Sequence, residues 1–168
     1  MEMIAISIPY DYAASKSKLS WREISWAINQ EILAPYAARE HAIASLKTVD
    51  DCSDDLIELA YMKKSDSVRG YLDELANSEN EQSVDIIEKK WLYLLLSWIY
   101  DSKASFEDPL EVVELVYAEF DYPSIIKAFV RYMPSDEPSL GSVELNTARM
   151  FDKWHDHLVS QGRLFNVV

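Results

Sequence analysis

The sequence predicts an all-α fold: a multi-helix bundle or irregular helical array of about eight helices around a central apolar helix near 82–100. Two observations carry this expectation. Glycine occurs only three times, at Gly70, Gly141 and Gly162, and no Asn-Gly, Asp-Gly or Gly-Gly dipeptide offers a tight β-hairpin turn. Helix-start signals followed by apolar residues at three-to-four spacing recur along the chain instead.

In chain order, Ile4, Ile6 and Ile8 alternate, so the first ten or so residues admit a short extended segment. Ser20 and Glu23 form a capping box ahead of Trp21, Ile24 and Ile28. Pro35 starts a second helix carrying Ala38, Ala42, Ile43 and Leu46 on one face. Ser53 or Asp54 caps a third, with Leu56, Leu59 and Ala60 facing inward, and Leu72, Leu75 and Ala76 mark a short fourth after Ser67.

The fifth helix, about 82–100, begins with the stripe Val84, Ile87, Trp91, Leu94 and Trp98 and becomes apolar all round after Lys90. Such a helix is buried by neighbours on every side. Asp108-Pro109-Leu110-Glu111 joins an N-cap acid, Pro at the first helical position and Glu at the third, a strong start signal. Tyr122-Pro123 ends that helix and starts another, running to about Tyr132, which Met133-Pro134 breaks. A last helix, about 142–160, turns Leu145, Ala148, Phe151, Trp154 and Leu158 inward and stops at Gly162. The only linker candidate, 135–142, is too short to separate domains, so 1–168 reads as one all-helical domain.

Charge narrows the function. Sixteen basic against 29 acidic residues leave a net charge of −13. A nucleic-acid backbone needs the opposite sign, so direct nucleic-acid binding is not expected, and a cationic protein partner is favoured over it. Acidity that serves only solubility is the plain alternative. Cys52 is the single cysteine, which excludes an intramolecular disulfide and fits a reducing cytoplasm. The stretch from Ile4 to Ile8 is too short for a secretory signal, and 91–100 is about half a membrane span, so neither secretion nor membrane insertion is expected.

Residue types for catalysis are present without a constellation. His155 and His157 stand two apart, and on a helix they point about 200° away from each other, so they do not chelate one ion there; exposure is the expected state. His41 reads as structural or exposed. Cys52 lies among Asp50, Asp51, Asp54 and Asp55, whose field blunts a thiolate nucleophile. No nucleophile elbow, P-loop, dinucleotide fingerprint or zinc-peptidase motif occurs. No catalytic residue, cofactor or metal is therefore assigned, and the protein is not expected to be an enzyme.

The acids themselves are patterned. Asp51, Asp55 and Glu58 fall at i, i+4 and i+7, with Asp50 and Asp54 alongside and Tyr61 next on the chain; Glu107, Glu111 and Glu114 repeat the spacing. Like charges so placed repel by about 0.2–0.5 kcal/mol per pair. A helix N-terminus relieves Asp54, Asp55, Asp108 and Glu111 but not Glu58 or Glu114. Either these faces are simply solvated or a cationic partner neutralises one of them, and Asp50, Asp51, Asp54, Asp55, Glu58, Tyr61, Glu107, Glu111 and Glu114 form the candidate partner-binding set. Tyr117, Tyr122 and Tyr132 are expected to join adjacent helices through their hydroxyls, and Arg131 to pair with a local carboxylate such as Asp121.

From Ser20 to Pro134 the chain resembles bacterial domain-of-unknown-function family 2247, through Ser20-Trp21, the block Lys90 to Leu96, Asp108-Pro109 with Glu111, Val113 and Glu114, and most specifically Phe120-Asp121-Tyr122-Pro123 and Phe129 to Pro134. The resemblance implies an all-α domain. For members encoded in contact-dependent growth-inhibition loci, it implies an immunity protein that neutralises a cognate toxin, often a nuclease directed at tRNA. It transfers no catalytic residue. An acidic helical adaptor for a cellular protein, or an uncharacterised enzyme, are the other classes open to such a chain.

Overall fold

The computed structural model describes residues 6–48, 53–63 and 67–166. Among them there are eight α-helices and no strand: α1 (Tyr10–Lys16), α2 (Trp21–Asn29), α3 (Ala37–Leu46), α4 (Asp54–Ala60), α5 (Arg69–Asn77), α6 (Val84–Asp101), α7 (Pro109–Glu119) and α8 (Val143–Phe165). Two 3-10 segments, Lys103–Ser105 and Ser124–Phe129, complete the described secondary structure. The chain forms two compact units, one reaching to Ile87 and the other comprising Glu88–Asn166.

In the first unit, α2 packs on α3 and α5, and α4 also packs on α3 and α5, so four short helices close on themselves. Ser20 starts α2 as predicted, its hydroxyl accepting from the Glu23 N–H at 3.2 Å. Glu23 is buried at this cap, and its carboxylate accepts from Gln82 Nε2 at 3.0 Å. Helix α1 is an addition to the sequence reading, and it packs on α3. Its buried residues are Tyr10 and Ala13, too small a stripe to stand out as periodic. Of the extended segment expected ahead of it, residues 6–9 form no strand, and Ile8 donates one backbone hydrogen bond to Ile32, 2.9 Å long, while Ile4 lies outside the described residues.

Helix α6 behaves as its composition demands. Trp91, Leu92, Tyr93, Leu94, Leu95 and Leu96 are all buried, so every face of that stretch is covered. Only the first member of the expected stripe departs from it, because Val84 is exposed whereas Ile87 is buried.

In the second unit, the 3-10 segment Ser124–Phe129 lies against both α7 and α8. Sequence spacing predicted a helix to about Tyr132 here. The chain instead makes a tight six-residue 3-10 helix that ends at Phe129, and it enters that helix through two left-handed residues, Asp121 (φ 58°) and Tyr122 (φ 57°), before Pro123.

Helix α8 differs from expectation at both ends. Ser142 caps it, accepting from the Leu145 N–H at 3.1 Å, yet Leu145 itself is 54% exposed and Ala148 is also exposed. Trp154 is fully buried, with Phe151 and Leu158 half-buried. Gly162 does not stop the helix, which runs on to Phe165. A Cβ there would stand 3.3 Å from the Tyr93 hydroxyl and 3.2 Å from Asn166 Nδ2, the two side chains that share a 2.6 Å hydrogen bond. That glycine serves close approach rather than termination.

Candidate functional site

Helix α4 presents the face that best fits the predicted partner surface. The Ser53 hydroxyl accepts from the Leu56 N–H at 3.2 Å, which fixes the helix start and sets the orientation of every residue after it. Leu56, Leu59 and Ala60 are buried. At the complementary three-to-four spacing, Asp54, Ile57, Glu58 and Tyr61 are exposed, Ile57 at 40% and Tyr61 at 80%. Asp54 and Asp55 lie in the first turn, where the positive end of the helix dipole stabilises them. Among the described residues, Asp54, Asp55 and Glu58 have no ion pair. The predicted members Asp50 and Asp51, and Cys52 beside them, lie outside the described residues.

The second acidic stripe is different in kind. Glu107 precedes α7, so only Glu111 and Glu114 of that set share the helix. Asp108 caps α7, and Arg131 then reaches back to it: Arg131 Nη1 stands 2.8 Å from Asp108 Oδ2, and Arg131 Nε donates to Glu114 Oε1 at 2.8 Å. The Glu114 hydrogen bond, with Asp108 beside it, holds the Arg131 pKa above its ordinary value. Asp121, the partner expected from proximity in sequence, instead occupies the left-handed turn after α7. Arg131 thus offsets the charge of Asp108 and Glu114, the one member of the predicted set Glu107, Glu111 and Glu114 that it pairs with. Seventeen residues separate Glu114 from Arg131, and no local pattern announces such a pair.

The three tyrosines form a ring cluster in place of the expected hydroxyl contacts. Tyr117 is buried, Tyr122 packs edge-on against it with ring centres 5.3 Å apart, and Tyr132 lies 6.1 Å away. Tyr122 and Tyr132 remain largely exposed.

Each histidine has a defined environment. His41 shares a 2.7 Å hydrogen bond with the Tyr10 hydroxyl and meets the Trp21 ring edge-on at 4.6 Å, which ties α3 to α1 and α2. Burial lowers its pKa to about 4 and, with Glu40 and Asp11 adding repulsion, raises that of Tyr10 to about 12. His155 is exposed and lies against Tyr100. His157 departs from expectation: it is half-buried against Phe129, and desolvation lowers its pKa to about 4. The two side chains therefore serve different neighbours, as a spacing of two on a helix requires.

Among the described residues, no helix is long and apolar enough to cross a membrane. No curated protein and no solved structure matches the chain. A family model does, over residues 10–162, wider at both ends than the Ser20–Pro134 stretch that carries the recognisable motifs. With nearly the whole chain covered and the all-α architecture in place, the chain belongs to DUF2247, described as an uncharacterized protein conserved in bacteria.

Proposed function

We propose that this protein is an immunity protein, a non-catalytic cytoplasmic inhibitor that binds a cognate secreted toxin domain, most specifically a basic nuclease. The observation that carries the reading is the α4 face: Asp54 and Glu58 without internal counter-charges, flanking the exposed Ile57 and Tyr61. A nuclease must offer cations to its nucleic acid, and an acidic face is the complement of such a surface. Exposed Tyr61 adds an aromatic anchor of the type that concentrates binding energy at interfaces. The net charge of −13 acts in the same direction by steering a cationic partner inward.

The test is capture of the toxin domain encoded beside this gene, measured as association and dissociation rates together with protection of toxin-expressing cells. The double substitution Asp54→Arg, Glu58→Arg is expected to slow association about tenfold at low ionic strength and much less at high ionic strength. Tyr61→Ala is expected to speed dissociation about tenfold. Folded variants with wild-type kinetics would remove α4 from the interface. Failure of the wild type to bind and protect would overturn the immunity reading in favour of an adaptor for a cellular protein.

A further inference from the structure

In a chain this acidic, one cleft gathers cations. A cavity of about 370 Å³ in the second unit is lined by Lys127 and Arg131 from the 3-10 segment and the residues after it, and by Arg149 and Lys153 from α8. Arg131 is committed to Asp108 and Glu114. The other three face the loop between Met133 and Ser142, from which one carboxylate enters: Glu137 Oε1 accepts from Lys153 Nζ at 2.7 Å, and its Oε2 lies 3.3 Å from Arg149 Nη1. Lys127 has no ion pair among the described residues.

Arg149 does not depend on Glu137 for its position. It donates to the Pro138 carbonyl at 2.9 Å and to Asn146 Oδ1 at 3.4 Å, and Asn146 is itself fixed by the Leu140 N–H at 2.9 Å and by Ser139 Oγ at 3.1 Å. The guanidinium therefore remains aimed into the cleft when the carboxylate leaves. Leaving is easy, because the Glu137 side chain is 48% exposed and an ion pair so placed contributes little to stability. With Glu137 withdrawn, Lys127, Arg149 and Lys153 face the single lining carboxylate of Asp136, a surplus of two positive charges.

We propose that this cleft is an oxyanion site that takes a dianionic phosphate group, and that Glu137 occupies it as an internal, displaceable stand-in. The surplus of two charges matches a phosphate dianion. Arg149 Nη1, which lies 3.3 Å from Glu137 Oε2, is placed to donate to a phosphate oxygen in its stead, and the two lysines complete the neutralisation as point charges. The site is independent of the α4 face and of the sign of the partner proposed for it.

The experiment titrates the full chain with inorganic phosphate at constant ionic strength, following the side-chain N–H resonances of Arg149 and Lys153. Saturable shifts at both residues are expected. Glu137→Gln, which removes the competing charge but keeps the loop side chain, is expected to tighten phosphate binding about tenfold, because the binding-competent state no longer has to displace a carboxylate. Lys153→Ala is expected to weaken it by a similar factor in a protein with an unchanged fold by circular dichroism. Acetate, in a parallel titration, is expected to bind far more weakly. Linear, unsaturable shifts in both the wild type and the Glu137→Gln variant would overturn the proposal, as would acetate binding equal to that of phosphate.

Discussion

At the scale of single residues, Trp154 is the centre of an aromatic cluster in the second unit. Its fully buried indole stacks nearly parallel on Phe129 at 6.1 Å, meets Tyr100 edge-on at 5.1 Å and lies 5.8 Å from Phe151. Its ring N–H has no hydrogen-bond acceptor among the described residues, so the contribution comes from area and packing. Trp154→Ala is expected to destabilise by about 3–5 kcal/mol through the cavity it leaves. Trp154→Phe is expected to cost only about 1–2 kcal/mol, since it keeps most ring contacts and removes a buried donor that nothing satisfies. Urea unfolding of the two variants reads the difference, and equal losses would mean that the N–H is satisfied after all.

At the scale of elements, α8 is the helix whose sequence pattern and tertiary setting part most clearly. Its start near 142 was legible in the sequence, but its C-terminal end was not. A glycine normally favours an end because it weakens the helix, whereas Gly162 lies inside one, where a Cβ would crowd the Tyr93 hydroxyl and Asn166 Nδ2. Gly162→Ala therefore sets about 1 kcal/mol of helix propensity against displacement of a hydroxyl on a buried ring. Because the Tyr93 ring cannot retreat, the substitution is expected to destabilise the wild type by about 1 kcal/mol, the lost bond and strain exceeding the gain. In a Tyr93→Phe background, where the obstructing oxygen is gone, the same substitution is expected to stabilise. A thermal-unfolding double-mutant cycle reads this reversal, and the same sign in both backgrounds would contradict it.

At the scale of the whole molecule, both compact units hold a histidine that stays neutral, His41 in one and His157 in the other. An unfolded histidine takes up its proton near pH 6.5, while burial lowers these two to about 4. The unfolded chain thus binds more protons across that window, and stability present above pH 6.5 is lost as the pH falls toward 4. Falling net charge toward the isoelectric point, near 4.5, relieves repulsion and acts oppositely, so the comparison must be differential. His41→Asn keeps an acceptor near the Tyr10 hydroxyl but does not titrate. Its stability deficit relative to the wild type is expected to shrink by about 1–2 kcal/mol between pH 7 and pH 5, a range that allows for partial solvation of the ring. A deficit independent of pH would show that His41 titrates normally in the folded protein.

The sequence by itself determined the helical class, the capped starts of α2, α4 and α7, the all-round burial of 91–96 and the family. Each depends on residues within one or two turns of each other, and caps, periodicity and composition are local quantities. Only the tertiary structure decided which acids find an internal cation. Arg131 returns across a 3-10 segment to neutralise Asp108 and Glu114, while Asp54 and Glu58 meet no cation among the described residues. Tertiary packing likewise half-buried His157, retained Gly162 inside a helix and brought Lys127, Arg149 and Lys153 to one cleft in an acidic chain. Pairing between charges 17 residues apart depends on where the backbone turns, and two left-handed residues before Pro123 set that turn.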